Sequence, residues 1–492
     1  MKKSRYVDLK AIAAKAMEKY GFLPRFPDPV LQEVNALTDK ASSYKGKPTN
    51  DLRPLLWSSI DNIDSMDLDQ LEYCERGTDG EIQVMVAVAD VDVYVPIRSQ
   101  ADRYAVHNGT SIYTGIVTFP MLPDQLSKNI SSLLPGQDRL AVVARYTILP
   151  DGSIDPGDVF RAIVRNKAKL VYEDLGEWLD GTGPIPPLVQ DIPGLKDQIL
   201  LQAEGARMLR KKRMVQGALD LETIEPQPVL DGDTVRDLIV VKPNMARKVI
   251  EEFMVAANRT MVSFLGVAGI PMIQRVVRVP KYWDEIVLTA ASYGEKLPSS
   301  PDVKALASFL KKQQIADPER FPDLSLTIIK LLGPGEYMPL EPGAPPTGHF
   351  SMAITDYTHG TAPNRRYVDI INQRLLKSVI DKTPNPYTLD ELEDRAFWLS
   401  DREKGSKKVE RFMRKAAAAV LLQDRIGEIF DALVTGASEK GTYVRLINPP
   451  AEGRVVQGER GVWVGQNVKV RLLKTDPYNG FIDFERVGAK RR

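Results

Sequence analysis

Three regimes of hydrophobic patterning follow one another along the chain. In "DLKAIAAKAMEKYGF" the apolar residues recur at helical spacing and stop near Gly21; Pro24, Pro27 and Pro29 then precede a second short periodic run, "PVLQEVNAL". Residues 1–50 therefore read as a small helical unit of two helices, in the order of a helix-turn-helix. From about residue 52 to 170 the runs shorten to "IQVMVAVADVDVYV" and "RLAVVARYTIL", separated by "TDG" and "PDG" turns, which predicts strands. Helical periodicity returns in "VQDIPGLKDQILLQAEGARMLRKKRM", "NMARKVIEEFMVAANRTMVSFL" and "RRYVDIINQRLLKSVI". A sheet with helices packed on it, an α+β domain over 51–424, accounts for this middle part. The last stretch, 425–492, alternates in short strands broken by Gly, Pro and Asn. It has the content of a small closed β-barrel of about five strands.

Composition sharpens this picture. With 492 residues, 43% hydrophobic and 27% charged, the chain has material for several cores and reads as a globular, multidomain protein. Its single cysteine, Cys74, excludes a disulfide framework and fits a reducing cytoplasm. The basic N-terminus has an apolar run interrupted by Lys15 and Glu18, so neither a signal peptide nor a membrane span is expected. The net charge of +1 hides an asymmetry: residues 51–100 carry 3 basic against 11 acidic side chains, and residues 401–492 carry 19 against 12. An acidic patch can hold cations while a basic arm holds a polyanion. On the barrel, Arg445, Arg454, Lys469, Arg471 and Lys474 fall near Tyr443, Phe481 and Phe484. Interleaved bases and aromatics form either a stacking platform for single-stranded nucleic acid or simply barrel core and solubilising surface.

The acidity concentrates in "SSIDNIDSMDLDQLEY", with Asp61, Asp64, Asp67 and Asp69 within nine positions. Carboxylates this close repel one another, so the stretch is either a solvated loop or a holder of cations. On an extended backbone Asp67 and Asp69 leave the same face, and a short loop returns Asp61 beside them. Three such carboxylates are hard ligands suited to Mg²⁺ or Mn²⁺. The only histidines are His107, His349 and His359, so zinc chemistry or a histidine-assisted nucleophile is poorly supplied. Pairs of divalent cations on aspartates serve phosphodiester hydrolysis.

The same stretch resembles the metal signature of the ribonuclease II and R (RNB) exoribonuclease family. Further segments follow in that family's order: "VAVADVDVYV", "SIYTGIVTFPMLPDQLSKNISSLLPGQDRLAVV", "KAKLVYEDL", "VIEEFMVAAN" and "GHFSMAITDYTHGTAPNRRYVD", and the C-terminal barrel is similar to its S1-type OB fold. The resemblance covers roughly residues 52–487. It implies processive, Mg²⁺-dependent 3′→5′ hydrolysis of single-stranded RNA to nucleoside 5′-monophosphates by a cytoplasmic protein, expected as a monomer.

By motif, the resemblance makes Asp61, Asp67 and Asp69 the metal carboxylates, with Asp69 most tied to catalysis. The family's fourth aspartate falls on Gln70, a neutral and weaker oxygen ligand; Asp64 is a possible substitute. Arg365 matches the arginine directed at the scissile phosphate, with Arg366 a second contact and Ala362 and Asn364 departing from the family's loop. Tyr113 matches an aromatic stacking on the 3′-terminal base, whose partner clamp falls on Leu221. Tyr172 and Glu251 match positions that recognise the ribose, and Tyr443, Arg445, Lys469 and Arg471 are expected to bind RNA from the barrel. The helical N-terminus stands where relatives carry cold-shock barrels, leaving strand capture to the C-terminal barrel, the helical segment or both, with altered access to the channel. Gln70 and the N-terminus also keep open a catalytically weak, RNA-binding or regulatory protein on this scaffold, and the altered base and ribose contacts an exonuclease tolerant of DNA.

Overall fold

The computed structural model describes residues 7–39, 50–438 and 441–488; the rest of the expected 1–50 helical unit, residues 1–6 and 40–49, lies outside them. The apolar runs of the first half form a seven-stranded sheet in the order Asn50–Asp51, Ile154–Arg165, Asp138–Ile148, Ile82–Ala89, Gln70–Arg76, Ser58–Asp61, Ala168–Val171. Neighbours are antiparallel except at the two edges, where Asn50–Asp51 and Ala168–Val171 pair in parallel. The helices Leu195–Gln216, Met245–Val267 and Tyr367–Asp381 bury their apolar sides in the same core as the sheet. Strand Ile82–Ala89 is consequently buried almost throughout, which explains why its sequence is continuously apolar and not alternating.

The middle region also holds a hairpin, where helices were expected, and a second helical core. Residues 226–240 form a hairpin, Pro226–Asp231 with Thr234–Val240, turning at Gly232 with φ +59°. Helices Trp283–Ser292, Val303–Ala316 and Phe321–Leu332 enclose a separate core around Trp283, Phe309, Phe321 and Ile328.

The helix Leu389–Leu422, 34 residues long, ties the molecule together. A reciprocal cap between Thr388 and Glu391 starts it. Val409, Met413, Ala416 and Ala417 pack against Leu9, Ile12, Ala13 and Met17 of the N-terminal helix Leu9–Lys19. Farther on, Ala418, Ala419 and Leu422 enter the core of the barrel. The second N-terminal helix, Asp28–Asn35, instead sends Val30 and Val34 into the main core, so the two helices of the expected turn motif dock on different partners.

The C-terminal strands close into a barrel in the order Ile429–Ser438, Gly441–Leu446, Glu452–Gln457, Phe481–Arg486, Asn467–Asp476. Phe484 is fully buried in it, whereas Tyr443 and Phe481 are exposed. Among the described residues no helix is long and apolar enough to cross a membrane.

Candidate active site

The acidic stretch is the connection between strand Ser58–Asp61 and strand Gln70–Arg76, so it emerges at one end of the sheet. Asp67 and Asp69 lie in irregular backbone and not, as their spacing suggested, on a strand; Gln70 is the first strand residue. The loop is nonetheless fixed. Ser132 Oγ accepts from the Leu68 N–H at 2.9 Å, and the Asp69 carbonyl accepts from the Ala89 N–H at 2.9 Å. Lys169 Nζ donates to the carbonyls of Ile63 and Ser65 at 2.9 and 2.6 Å. The strand carrying Lys169 reaches the loop by its parallel pairing with Ser58–Asp61.

Asp61, Asp64, Asp67, Asp69 and Gln70 line one wall of a cavity of about 950 Å³, and Tyr113, Tyr172, Arg247 and Arg365 line it too. The hairpin contributes Pro226, Pro228, Leu230 and Ile239. Asp69 is 2% exposed; its carboxylate accepts from the Asn364 N–H at 2.9 Å and from Arg365 Nε at 3.3 Å. Burial pushes the Asp69 carboxyl up to about 7, with Asp67 adding to the rise while Arg365 and the Asn364 N–H oppose it. Asp61 is raised to about 6, chiefly by burial, against the pull of Lys169 and Arg365.

Arg365 is positioned by its backbone. Its carbonyl accepts from the Ser111 N–H at 2.9 Å and Thr110 Oγ1 at 3.0 Å. Asn364, a departure from the family pattern, accepts from Ser131 Oγ at 2.6 Å through its own side chain, so the loop is held despite the substitution. The Arg365 side chain is 46% exposed, with no guanidinium hydrogen bond other than Nε to Asp69 among the described residues. Arg366 turns inward: it bonds Asp369 at 2.7 Å, and the same carboxylate oxygen takes the Ala362 N–H at 2.7 Å, which sets the loop's curvature. With Arg365 and Tyr113 it lines an adjoining cavity of about 210 Å³.

Among the described residues no three His, Cys, Asp or Glu side chains gather into a finished metal-binding group, so the convergence expected of Asp61, Asp67 and Asp69 is not closed. The donor chemistry still suits a hard cation. Asp61 Oδ2 is buried without a hydrogen-bond partner, and Asp67 raises the carboxyls of both Asp61 and Asp69. A divalent ion would satisfy that oxygen and relieve the repulsion.

Tyr113 is 43% exposed in the cavity and its hydroxyl donates to Asp67 at 3.2 Å, presenting the ring beside the acids. Tyr172 also faces the cavity, with the Arg247 guanidinium 4.2 Å from its ring centre. Three expected contacts fall elsewhere. Glu251 is not part of the cavity wall; it pairs with Arg213 at 2.7 Å, because Arg213 neutralises the buried Glu252 beside it. Leu221 packs on the core of the three-helix lobe. Arg445 is buried and bonds Asp323 at 2.7 and 3.0 Å, joining barrel to lobe and offering no charge to a strand. Lys469 and Arg471 remain on the barrel surface, paired with Asp431 and Glu485.

Sequence reasoning passed over Lys169, Arg247 and the hairpin wall. Lys169 stands within the quoted "KAKLVYEDL", but only the pairing of strands over a hundred residues apart brings it to the acids. Arg247 bonds Asn62 at 3.3 Å and Glu173 at 2.8 Å, bracing the far side of the loop.

Comparison with known proteins gives a consistent result. A family model described as the RNB domain matches residues 49–382, and one described as the RNase II-type exonuclease C-terminal S1 domain matches residues 428–487. The chain is similar to proteins named Ribonuclease R: that of Thermotoga maritima is 28% identical over 93% of this chain and 68% of its own length. Ribonuclease R 1 of Lactococcus lactis is 26% identical over 94% of the chain and 59% of its own length, and the Escherichia coli protein 26% over 86% and 52%. Among solved structures, the apo form of Mycoplasma genitalium RNase R superposes with a TM-score of 0.88 at 24% identity, covering 98% of this chain and 78% of that one. Yeast Ssd1, described as a pseudonuclease, shares the fold at TM-score 0.68 and 17% identity, covering 91% and 55%.

Proposed function

From the premise that the chain belongs to the RNB-domain family, we propose that it is a 3′→5′ exoribonuclease that hydrolyses single-stranded RNA to nucleoside 5′-monophosphates with the aid of Mg²⁺. One observation carries the reading: buried Asp69 holds Arg365 by Nε inside a cavity lined by further carboxylates, leaving the terminal nitrogens of the guanidinium to a phosphate. A guanidinium in this setting stays charged while negative charge builds on the phosphoryl oxygens.

Asp61, Asp67 and Asp69, with the Gln70 amide oxygen, would hold the cation. When bound it supplies a neutralising charge for the phosphate and lowers the pKa of an attacking water. The chain's own groups do the rest. Tyr113 offers a ring to the terminal base, an interaction indifferent to base identity. Tyr172, with Arg247 packed over its ring, lines the same cavity, where it can hold the sugar. The structures of Mycoplasma genitalium RNase R with single- and double-stranded RNA support RNA as the substrate class.

Incubating the purified protein with 5′-labelled oligoadenylate RNA, and with the matching DNA, in Mg²⁺ and in EDTA tests this. Stepwise shortening of RNA from the 3′ end, dependent on Mg²⁺ and absent for DNA, is the expected result. RNA retained but uncut in Mg²⁺ selects instead the RNA-binding reading that Gln70 and the unclosed carboxylate set favour.

A further inference from the structure

One face of the long helix Leu389–Leu422 stays open between the elements packed on its flanks. On one flank Arg402 lies over the Phe22 ring, 4.8 Å from its centre, and Gly405 admits the same ring, since a Cβ there would come within 3.0 Å of it. On the other flank Glu403 bonds Arg275 at 2.8 Å. Between the flanks Asp394, Phe397, Asp401, Lys404, Lys408 and Arg411 are all exposed. They are spaced 3, 4, 3, 4 and 3 residues apart, the repeat of a seam along which two helices meet.

The charges on this seam are segregated, acids toward the N-terminus and bases toward the C-terminus. A merely solvated helix face gains by setting opposite charges three or four residues apart. Here Lys404 and Lys408 stand four apart and Lys408 and Arg411 three, so like charges adjoin. Asp394, Lys404, Lys408 and Arg411 take part in no ion pair among the described residues. Asp394 is ten residues from Lys404, about 15 Å along the axis at about 1.5 Å per residue, too far to pair within one helix. Asp401, next to Lys404 on the seam, is instead 3.1 Å from Arg402. Amid these charges stands Phe397, 80% exposed and the most exposed aromatic side chain among the described residues.

We propose that this seam is an interface for a second copy of the chain, the two long helices lying antiparallel. Alternate seam positions of antiparallel helices interlock crosswise. That register sets Asp394 against Arg411 of the second copy, Asp401 against its Lys404, and Phe397 against its Lys408, and the two-fold axis makes each contact twice. A lysine can lay its stem along the ring and its ammonium over the ring's face. A parallel pair would set each residue against itself, acid on acid and base on base. Charge complementarity therefore selects both the occupant and its orientation. The interface departs from the monomer that the family resemblance implies; it is narrow and polar, so the dimer is weak and salt-sensitive.

Light scattering on the eluting full chain tests this, at a protein concentration on the order of 100 μM, between the micromolar and millimolar limits of weak association. Salt at about 0.1 M and about 1 M shortens the screening length from about 10 Å to about 3 Å. The mass should approach twice 54.9 kDa at the lower salt and return to 54.9 kDa at the higher. Asp394→Lys/Asp401→Lys makes the seam wholly basic and Lys404→Glu/Arg411→Glu makes it acidic, so each variant alone should stay at the single-chain mass. Mixed in equal amounts they should form a dimer of one of each, shown by pull-down through a tag on one variant; this restoration also shows that neither substitution has unfolded the chain. A wild-type mass of 54.9 kDa at both salts leaves the seam to some other occupant and overturns the proposal. So does a dimer that survives both charge reversals, which puts the contact elsewhere, and so does a mixture that fails to associate.

Discussion

Asp69 sits where protonation, the arginine and the cation site meet. Its carboxyl is raised to about 7 and that of Asp61 to about 6, so the folded, metal-free chain keeps protons there that the unfolded chain has released. Stability must then fall as pH rises from about 4 through 7, because the native state binds the more protons. Each pKa unit is worth about 1.4 kcal/mol, so ionising buried Asp69 costs on the order of 4 kcal/mol. Thermal melts in EDTA should show wild type losing more stability between pH 5 and 8, round values either side of the two raised carboxyls, than Asp69→Asn does, with Mg²⁺ recovering the wild type alone; parallel curves would contradict the arrangement. Arg365→Lys keeps the charge but loses the fork, and should lower turnover about 100-fold with little change in RNA affinity, read from single-turnover and binding measurements together. At this scale the sequence was most legible where chemistry and motif coincide, at Asp61, Asp69, Arg365 and Tyr113. It misled at Glu251 and Arg445, whose charges are taken by Arg213 and Asp323, partners remote in sequence and marked by no local pattern.

Elements were readable where their period was long. Helices Leu195–Gln216, Met245–Val267 and Tyr367–Asp381 lie close to the periodic runs that announce them. The hairpin 226–240 did not declare itself, being short and mostly half-buried or exposed, with Val235 and Leu238 alone fully buried and Pro226, Pro228 and Leu230 lining the cavity. The long helix joins three cores, so its apolar stripe wanders around the axis as the partner changes. Between elements, Arg445 and Asp323 form the buried tie of barrel to lobe, with side chains 8% and 12% exposed. Removing one partner strands the other charge, so Asp323→Ala should lower stability by about 3 kcal/mol. Denaturant unfolding checks this, and unchanged oligoadenylate binding would show that the tie is structural.

For the whole molecule, the acidic half and the basic tail resolve into a carboxylate cavity and a cationic groove that are both lined by the long helix. That division was visible as a charge asymmetry along the chain; the folding of the N-terminal helix onto the groove was not, since it depends on apolar packing against Val409 and Met413. Excising the barrel would uncover Leu238, Ala418 and Leu422, so loss of binding in a truncated chain would mix unfolding with lost contacts. Charge substitutions on the intact fold separate the two: Lys469→Gln and Arg471→Gln, already paired with Asp431 and Glu485, should change the salt slope less than Lys15→Gln/Lys19→Gln. Equal slopes for the two pairs of variants would contradict this.

The central claim is that the acids and Arg365 form one hydrolytic centre at the end of a bound strand. It is tested most directly by measuring binding and turnover of the same oligoadenylate by wild type and Asp69→Asn in Mg²⁺. The account predicts affinity preserved within about threefold and turnover reduced at least about 1,000-fold, the scale of losing a group that acts only in the transition state. An Asp69→Asn protein that degrades RNA at the wild-type rate would contradict it.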